Sequence, residues 1–328
     1  MNKLLSCIAC VGMLAAAAAP AGAQKFPTKP IEIIVGGSAG GGWDTTARAI
    51  MKALQDEKLV TVPINILNKS GGSGSISWAY LNQHKGDGHY VAMSSTIVHA
   101  NELLGRSNQT LADFTPIAML TTEWHAVAVN KDSPIKSGKD LMAKLKLDPA
   151  SLSIGIALGV GNDDYMSFMK AAKAAGVDVK GLKRLVIFPS GQELMVALLG
   201  GHVDLISTGL SEISEQYKSG KARILAISAD RRQEGDLAAI PTWNEQGIDG
   251  KFGHWRGLFG PKDMPAGELK AWEDILGKMV KTKTWKELLA RYDWNAAFLP
   301  GDKYKAYLED EHRQFAATFK EMNIVKKQ

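Results

Sequence analysis

The sequence predicts an α/β protein of two lobes, each built on a mostly parallel sheet with a ligand cleft between them. Three observations carry this. Short apolar strands recur, each running into a loop of small residues and then an amphipathic helix, which is the pattern of parallel strands covered by helices. The loops fall at corresponding strand ends, so in a parallel sheet they share one rim. The chain has 328 residues, more than one comfortable hydrophobic core encloses.

The first unit is Ile31 to Arg48, IEIIVGGSAGGGWDTTAR. Ile31 to Val35 reads as a buried strand, six of the next seven residues are Gly or Ser, and a helix begins near Asp44. A glycine-rich loop feeding a helix leaves backbone N–H groups at the positive end of the helix dipole, where an anion can approach the main chain. Val62 to Leu67 is the next strand, followed by Asn68 to Ser75 and a helix near Ile76 to Gln83; His89 to Met93 is a third, ending in Ser94-Ser95-Thr96. Ala126 to Asn130 is a strand, and a helix follows from about Lys139 to Leu145.

A second series then begins. Strands at Leu152 to Ala157, Arg184 to Phe188 and Val203 to Ser207 are followed by the loops Leu158 to Asp164, Pro189-Ser190-Gly191 and Thr208-Gly209. Each loop leads into a helix, and a last strand runs from Ile224 to Ser228. Beyond Pro241, apolar residues at helical spacing mark helices at Ala266 to Lys281, Thr284 to Tyr292 and Asp302 to Met322. If these return to the first lobe, that lobe is discontinuous (24–125 with 231–328), the second is 126–230, and two crossings form a hinge.

Met1 to Ala23 has one lysine, an apolar stretch from Leu4 to Ala19 and small residues at its end, the signature of a secretory signal peptide cleaved near Ala23. Cys7 and Cys10, the chain's two cysteines, leave with it, so no disulfide or thiol chemistry is expected. Lys3 is the only charged residue lost, which lowers the formal net charge of +5 by one. The remaining positive charge is spread without a dense run, which argues against nucleic-acid binding, and no later segment is apolar enough to span a bilayer.

Single residues carry both a structural and a functional reading. Asp44 is expected to cap its helix. Trp43 either walls the pocket or packs elsewhere. Trp124 and His125 stand where the chain should cross between lobes. Arg256 suits a carboxylate, although a structural ion pair is the commoner use. Asn162 or Asp163 should cap a helix and Asp164 offset its dipole; alternatively one aspartate receives a ligand ammonium or hydroxyl. The seven histidines show no metal-ligand spacing, so neither metal nor cofactor is expected. Gly36-Gly37-Ser38-Ala39-Gly40 fits the nucleophile elbow of serine hydrolases, but Gly40 to Trp43 separate the serine from the helix. No Gly-Lys-Ser/Thr makes this loop a P-loop.

The opening Phe26-Pro27-Thr28-Lys29-Pro30-Ile31 combines with Ala39-Gly40-Gly41-Gly42-Trp43-Asp44, Asn68-Lys69-Ser70-Gly71-Gly72-Ser73-Gly74 and Gly86-Asp87-Gly88-His89-Tyr90. With Leu198 to Asp204 and Trp255-Arg256-Gly257-Leu258-Phe259, they resemble the substrate-binding proteins of tripartite tricarboxylate transporters, the TctC-like or Bordetella uptake gene (Bug) family. The resemblance implies a periplasmic binding protein of the Venus-flytrap, type II-like fold, monomeric and without catalysis, that captures a small carboxylate and delivers it to a membrane permease. It implies ligand contacts from Ser38, Ala39, Gly40, Gly41, Gly42 and Trp43, from Ser70, Gly72, Ser73 and Gly74, and from Ser94, Ser95 and Thr96. In the second lobe they would come from Gly159, Val160, Gly161, Asn162 and Asp163, from Ser190 and Gly191, and from Thr208 and Gly209. A ligand sensor for a membrane kinase and a secreted serine hydrolase are the alternatives.

Overall fold

The computed structural model describes residues 26–321; the expected signal peptide, with Cys7 and Cys10, lies outside them. Strand β1 (Ile31–Val35) is central in its sheet because Ile31, Ile33, Ile34 and Val35 are all fully buried. Helix α1 (Gly42–Asp56) returns over it, and β2 (Ile64–Asn68) and, after α2 (Ser75–Asn82), β3 (Tyr90–Ser94) pair parallel to β1 on either side. The close βα packing here requires glycine: a Cβ at Gly36 would stand 2.8 Å from the Gly74 backbone and 2.7 Å from the Trp43 ring.

Helix α3 (Ile97–Leu103) leads to β4 (Phe114–Asn130), a 17-residue strand. Only its last five residues are legible as a strand in the sequence, because Pro116 and an unbroken apolar and polar mixture mask its start. Helix α4 (Gly138–Leu147) follows. Next come β5 (Ile154–Ala157), α5 (Asp163–Ala174), β6 (Leu185–Phe188), α6 (Gly191–Leu199), β7 (Leu205–Gly209), α7 (Leu210–Lys218) and β8 (Ala222–Ile227). The chain ends with β9 (Gly253–Pro261), α8 (Ala266–Met279), α9 (Lys283–Arg291), β10 (Asn295–Pro300) and α10 (Gly301–Glu321).

Two sheets share β4. Its residues 114–124 pair antiparallel with β9, which continues the sheet through β3, β1 and β2; β10 pairs with the same stretch. From His125 onward β4 pairs antiparallel with β7 and β8, and β7 leads on to the parallel β5 and β6. Each sheet is therefore mixed: the βαβ units supply parallel strands, and β4, β8, β9 and β10, which run between and beside the lobes, are antiparallel. The segment 241–252 stays with the second sheet. Trp243 N donates to Ile227 O, Gln246 Nε2 to Leu225 O and Phe252 N to Ser228 O. The return crossing therefore occurs at Gly253, directly opposite Trp124 in the ladder.

Candidate ligand cleft

A cavity of about 50 Å³ lies where the helix starts of both sheets meet the crossing strands. The sequence-predicted residues brought to it are Ser38, Gly41, Gly42, Trp43, Asn162, Asp163, Ser190, Gly191 and Gly209. They belong to the starts of α1, α5, α6 and α7, which converge because the βα loops of the two sheets face one another.

Several of the other predicted residues hold the cleft together from outside its lining. Ser73 Oγ donates to Leu158 O at 2.7 Å, and Arg106 Nη1 donates to Val160 O at 2.6 Å, so both tie the first lobe to the second. Ser94, Ser95 and Thr96 are fully buried. Thr208 Oγ1 donates to Glu212 Oε2 at 2.6 Å. Gly40 lines a neighbouring groove, and a Cβ on Gly161 would stand 2.9 Å from the Phe319 ring. Ala39, Ser70, Gly72, Gly74 and Gly159 do not line the cavity.

The helix starts differ in how they are satisfied. Asn162 Oδ1 accepts from Tyr165 N at 2.9 Å and caps α5, and Ser190 Oγ accepts from Glu193 N and caps α6. Helix α1 has Gly41 before it and no side-chain cap. Asp44, expected as that cap, instead sits inside the first turn and folds the loop back: its carboxylate accepts from Gly40 N at 2.9 Å, Asn68 Nδ2 at 3.0 Å and Arg48 Nε at 2.7 Å. Burial pushes the Asp44 carboxyl up, but these donors more than offset it and hold it below the usual range. Trp43 does both things foreseen for it, lining the cavity while packing 5.9 Å from the Trp78 ring.

The crossing strands line the cavity with charge that the rim loops do not announce. From β9 come His254 and Arg256, and from α7 comes Glu212. Arg256 is buried and its Nη1 lies 2.8 Å from Glu123 Oε2 on β4. Glu123 Oε1 in turn accepts from Ser211 N at 2.7 Å and from the Ser211 hydroxyl, so this carboxylate occupies the start of α7. The glycines make room for these groups. A Cβ on Gly42 would come 2.5 Å from Arg256 Nη2, one on Gly209 2.7 Å from Glu123 Oε1, and one on Gly191 would collide with Glu212 Oε2. Burial, with the charges of Asp164 and Glu123, raises Glu212 to about 7, against the opposing pull of Arg256.

Behind them stands a second cluster. Asp164 Oδ2 accepts from Ala157 N at 2.9 Å, and its Oδ1 lies 3.1 Å from His125 Nε2. Asp163 Oδ2 lies 3.2 Å from the same nitrogen and 2.9 Å from His254 Nδ1. Neither aspartate points away from the cavity, as dipole compensation alone would have it; both line it. Burial pushes Asp163 up, but His254 and His125 hold it well below the usual carboxylate range, whereas burial and the neighbouring Asp163 charge raise Asp164. His125 stands opposite: burial lowers it, yet its contacts with the two aspartates lift it to about 10. Glu212 and His254 were not singled out in the sequence, and no local motif could have found them, because their partners lie on other elements.

The comparisons with known proteins follow this geometry. The family model described as "Tripartite tricarboxylate transporter family receptor" matches residues 46–324. Protein BugT of Bordetella pertussis is 24% identical over 328 residues, covering 98% of each chain. Among solved structures, a TctC solute-binding protein from Polaromonas is 27% identical with a TM-score of 0.66, covering 90% of this chain and 99% of its own. MatC from Rhodopseudomonas palustris, solved with bound malate, has a TM-score of 0.78 at 22% identity, covering 89% of this chain and 99% of its own.

Proposed function

The chain belongs to the tripartite tricarboxylate transporter receptor family, and from that premise we propose that it is exported to the periplasm, captures a small organic carboxylate between its lobes and presents it to a membrane permease. The observation that carries this is the start of α1, which has no side-chain cap and opens on the cavity beside Ser38, opposite the starts of α5 and α6 and within reach of Arg256. Backbone donors at the positive end of a helix dipole and a guanidinium are the groups that hold a carboxylate. Residues 26–124 with 253–321 act as one lobe and 125–252 as the other, since the chain changes sheet at His125 and again at Gly253. A return at 253, where the sequence led to 231, is supported by the hydrogen bonds that join segment 241–252 to β8.

Closure is capture and not chemistry. A ligand stabilises the closed arrangement only by the contacts it adds to both lobes, beyond those of Ser73 with Leu158 and Arg106 with Val160. Among the described residues, no helix is long and apolar enough to cross a membrane. The protein works as a monomer whose bound form the permease recognises.

A thermal-shift screen against dicarboxylates, tricarboxylates, amino acids and aromatic acids tests this, because a ligand that binds only the folded state raises its melting temperature. Malate, held by the structurally similar MatC, heads the panel. A saturable rise with one carboxylate is the expected result. No rise with any of them, together with ester hydrolysis abolished by Ser38→Ala, would replace the binding reading with a hydrolase.

A further inference from the structure

We propose that His125, Asp163 and His254 form a divalent transition-metal site in the wall of the cleft, and that the ion offers its open face to the bound carboxylate. The three donors come from three elements: His125 from β4 at the crossing, Asp163 from the first turn of α5, and His254 from β9 at the return crossing. Their ligand atoms, one per residue, lie within 4.8 Å of one another, with Asp163 Oδ2 at 3.2 Å from His125 Nε2 and 2.9 Å from His254 Nδ1. Donors each about 2.1 Å from a shared ion stand roughly 3.0 Å apart in octahedral and roughly 3.4 Å apart in tetrahedral coordination. The two pairs that share Asp163 Oδ2 are already close to that spacing, and the two imidazole nitrogens lie within 4.8 Å of each other.

Hydrogen bonding accounts for only part of it. His125 Nε2 is hydrogen-bonded to Asp164 Oδ1 at 3.1 Å, while Asp163 Oδ2 stands between two imidazoles, 3.2 Å from His125 Nε2 and 2.9 Å from His254 Nδ1. His254 is 2% exposed, lines the cavity, and has neither ring nitrogen in a hydrogen bond among the described residues. Buried polar atoms are rarely left so, and an imidazole facing a carboxylate without bonding it is arranged as a ligand set is. The hydrogen bond of His125 Nε2 to Asp164 Oδ1, 3.1 Å, is the one contact the ion would replace, with His125 losing its Nε2 proton as it binds.

The second observation is the charge of the wall. Asp163, Asp164 and Glu212 all line a cleft read above as a carboxylate site, with Arg256 already 2.8 Å from Glu123. Three carboxylates oppose a fourth at these distances. A divalent cation held by two imidazoles and a carboxylate reverses that local sign and leaves positions open for ligand oxygen. Imidazole with carboxylate suits Zn²⁺, Co²⁺ or Ni²⁺, and not Mg²⁺ or Ca²⁺, which prefer all-oxygen sites. The other histidine and carboxylate grouping, Asp87, His89 and Glu268, is occupied by its own bonds, with Asp87 held by Lys29 and Glu268 by Gly88 N. The metal site stands by itself; its contact with the carboxylate rests on the function proposed above.

The test uses the untagged protein from the periplasm, stripped with chelator and dialysed against Zn²⁺. One equivalent bound is expected, with at least tenfold weaker binding in Asp163→Asn and in His254→Gln. His84→Gln, whose ring stacks on Tyr90 away from the cleft, should match the unaltered protein. Less than one equivalent, or unchanged affinity in both cleft variants, overturns the site. Should either variant fail to fold by circular dichroism, the Co²⁺ complex of the unaltered protein decides. Visible bands of nitrogen-ligated cobalt support the site, and the spectrum of the aquo ion alone overturns it. Carboxylate binding is then measured with Zn²⁺ and with excess chelator. A loss of tenfold or more in chelator is expected. Equal binding in both, an amino acid included, overturns the metal's contact with ligand while leaving the capture function standing, and no carboxylate binding in either sinks the capture function whatever the dialysis shows.

Discussion

The rim loops and the crossing strands face the same cavity but are built by different means. The rim is made of glycines, hydroxyls and helix starts, each placed by its own neighbours in sequence: Ser190 caps the helix that follows it, and Asp44 pins the loop four residues before it. The crossing strands carry Glu123, His125, His254 and Arg256, every one buried and set beside a charged group far away in the chain. The difference bears on the proposed capture function. On that reading, backbone donors on the rim would take many carboxylates, whereas the buried charges of the crossing strands would fix which ones the cleft tolerates.

The sharpest way to break that contrast is to cut a charge from the crossing strands. Arg256→Ala leaves Glu123 buried without its cation and should cost about 3–5 kcal/mol of stability in chemical denaturation. A cost under about 1 kcal/mol, as for an exposed pair such as Lys52 with Asp56, would mean the crossing is not electrostatically tight.

Glu212 sharpens the contrast through pH. Its folded value of about 7 lies above the ordinary 4.5, so the folded state binds more protons between those values and stability falls as pH rises through that window. The full penalty, on the order of 3 kcal/mol, is present above pH 7 and absent below 4.5. Glu212→Gln should therefore gain more stability at pH 8 than at pH 5 in thermal melts; equal gains at both would show that Glu212 titrates normally.

Gly36→Ala tests the rim's packing, since the new methyl meets the backbone of Gly74, and should cost about 1–3 kcal/mol. Smallest is Ser190→Ala, which removes one N-cap and should cost about 1 kcal/mol by denaturant melt. If it cost as much as Arg256→Ala, the rim would not be the more tolerant wall.

What the sequence revealed follows the same division. Strand, glycine loop and helix start are local signals, so β1 with α1, β5 with α5 and β7 with α7 were legible, as were the two lobes. The start of β4, all of β9 and β10, and α3 were not, because their residues are ordered by pairing with distant strands: Thr122 of β4 faces Trp255, and Thr121 faces Ala296. Nine of the predicted contact residues line the cavity because a loop after a strand points to the rim by construction. Glu212 and His254 gave no warning, since a glutamate in a helix and a histidine in an aromatic run look ordinary until Arg256 and Asp163 are brought beside them. The absence of metal-ligand spacing among the histidines had the same limit, as donors at 125, 163 and 254 meet only in the fold.

Titration calorimetry of the carboxylate that gives the largest thermal shift, with the unaltered protein, Gly42→Ala and Gly267→Ala, tests the central claim most directly. A methyl on Gly42, in the cavity wall, would stand 2.5 Å from Arg256 Nη2 and displace it, while one on Gly267 has open space around it. The account predicts at least tenfold weaker binding for Gly42→Ala and none of that loss for Gly267→Ala. Equal affinity in all three would place the ligand somewhere other than between the lobes.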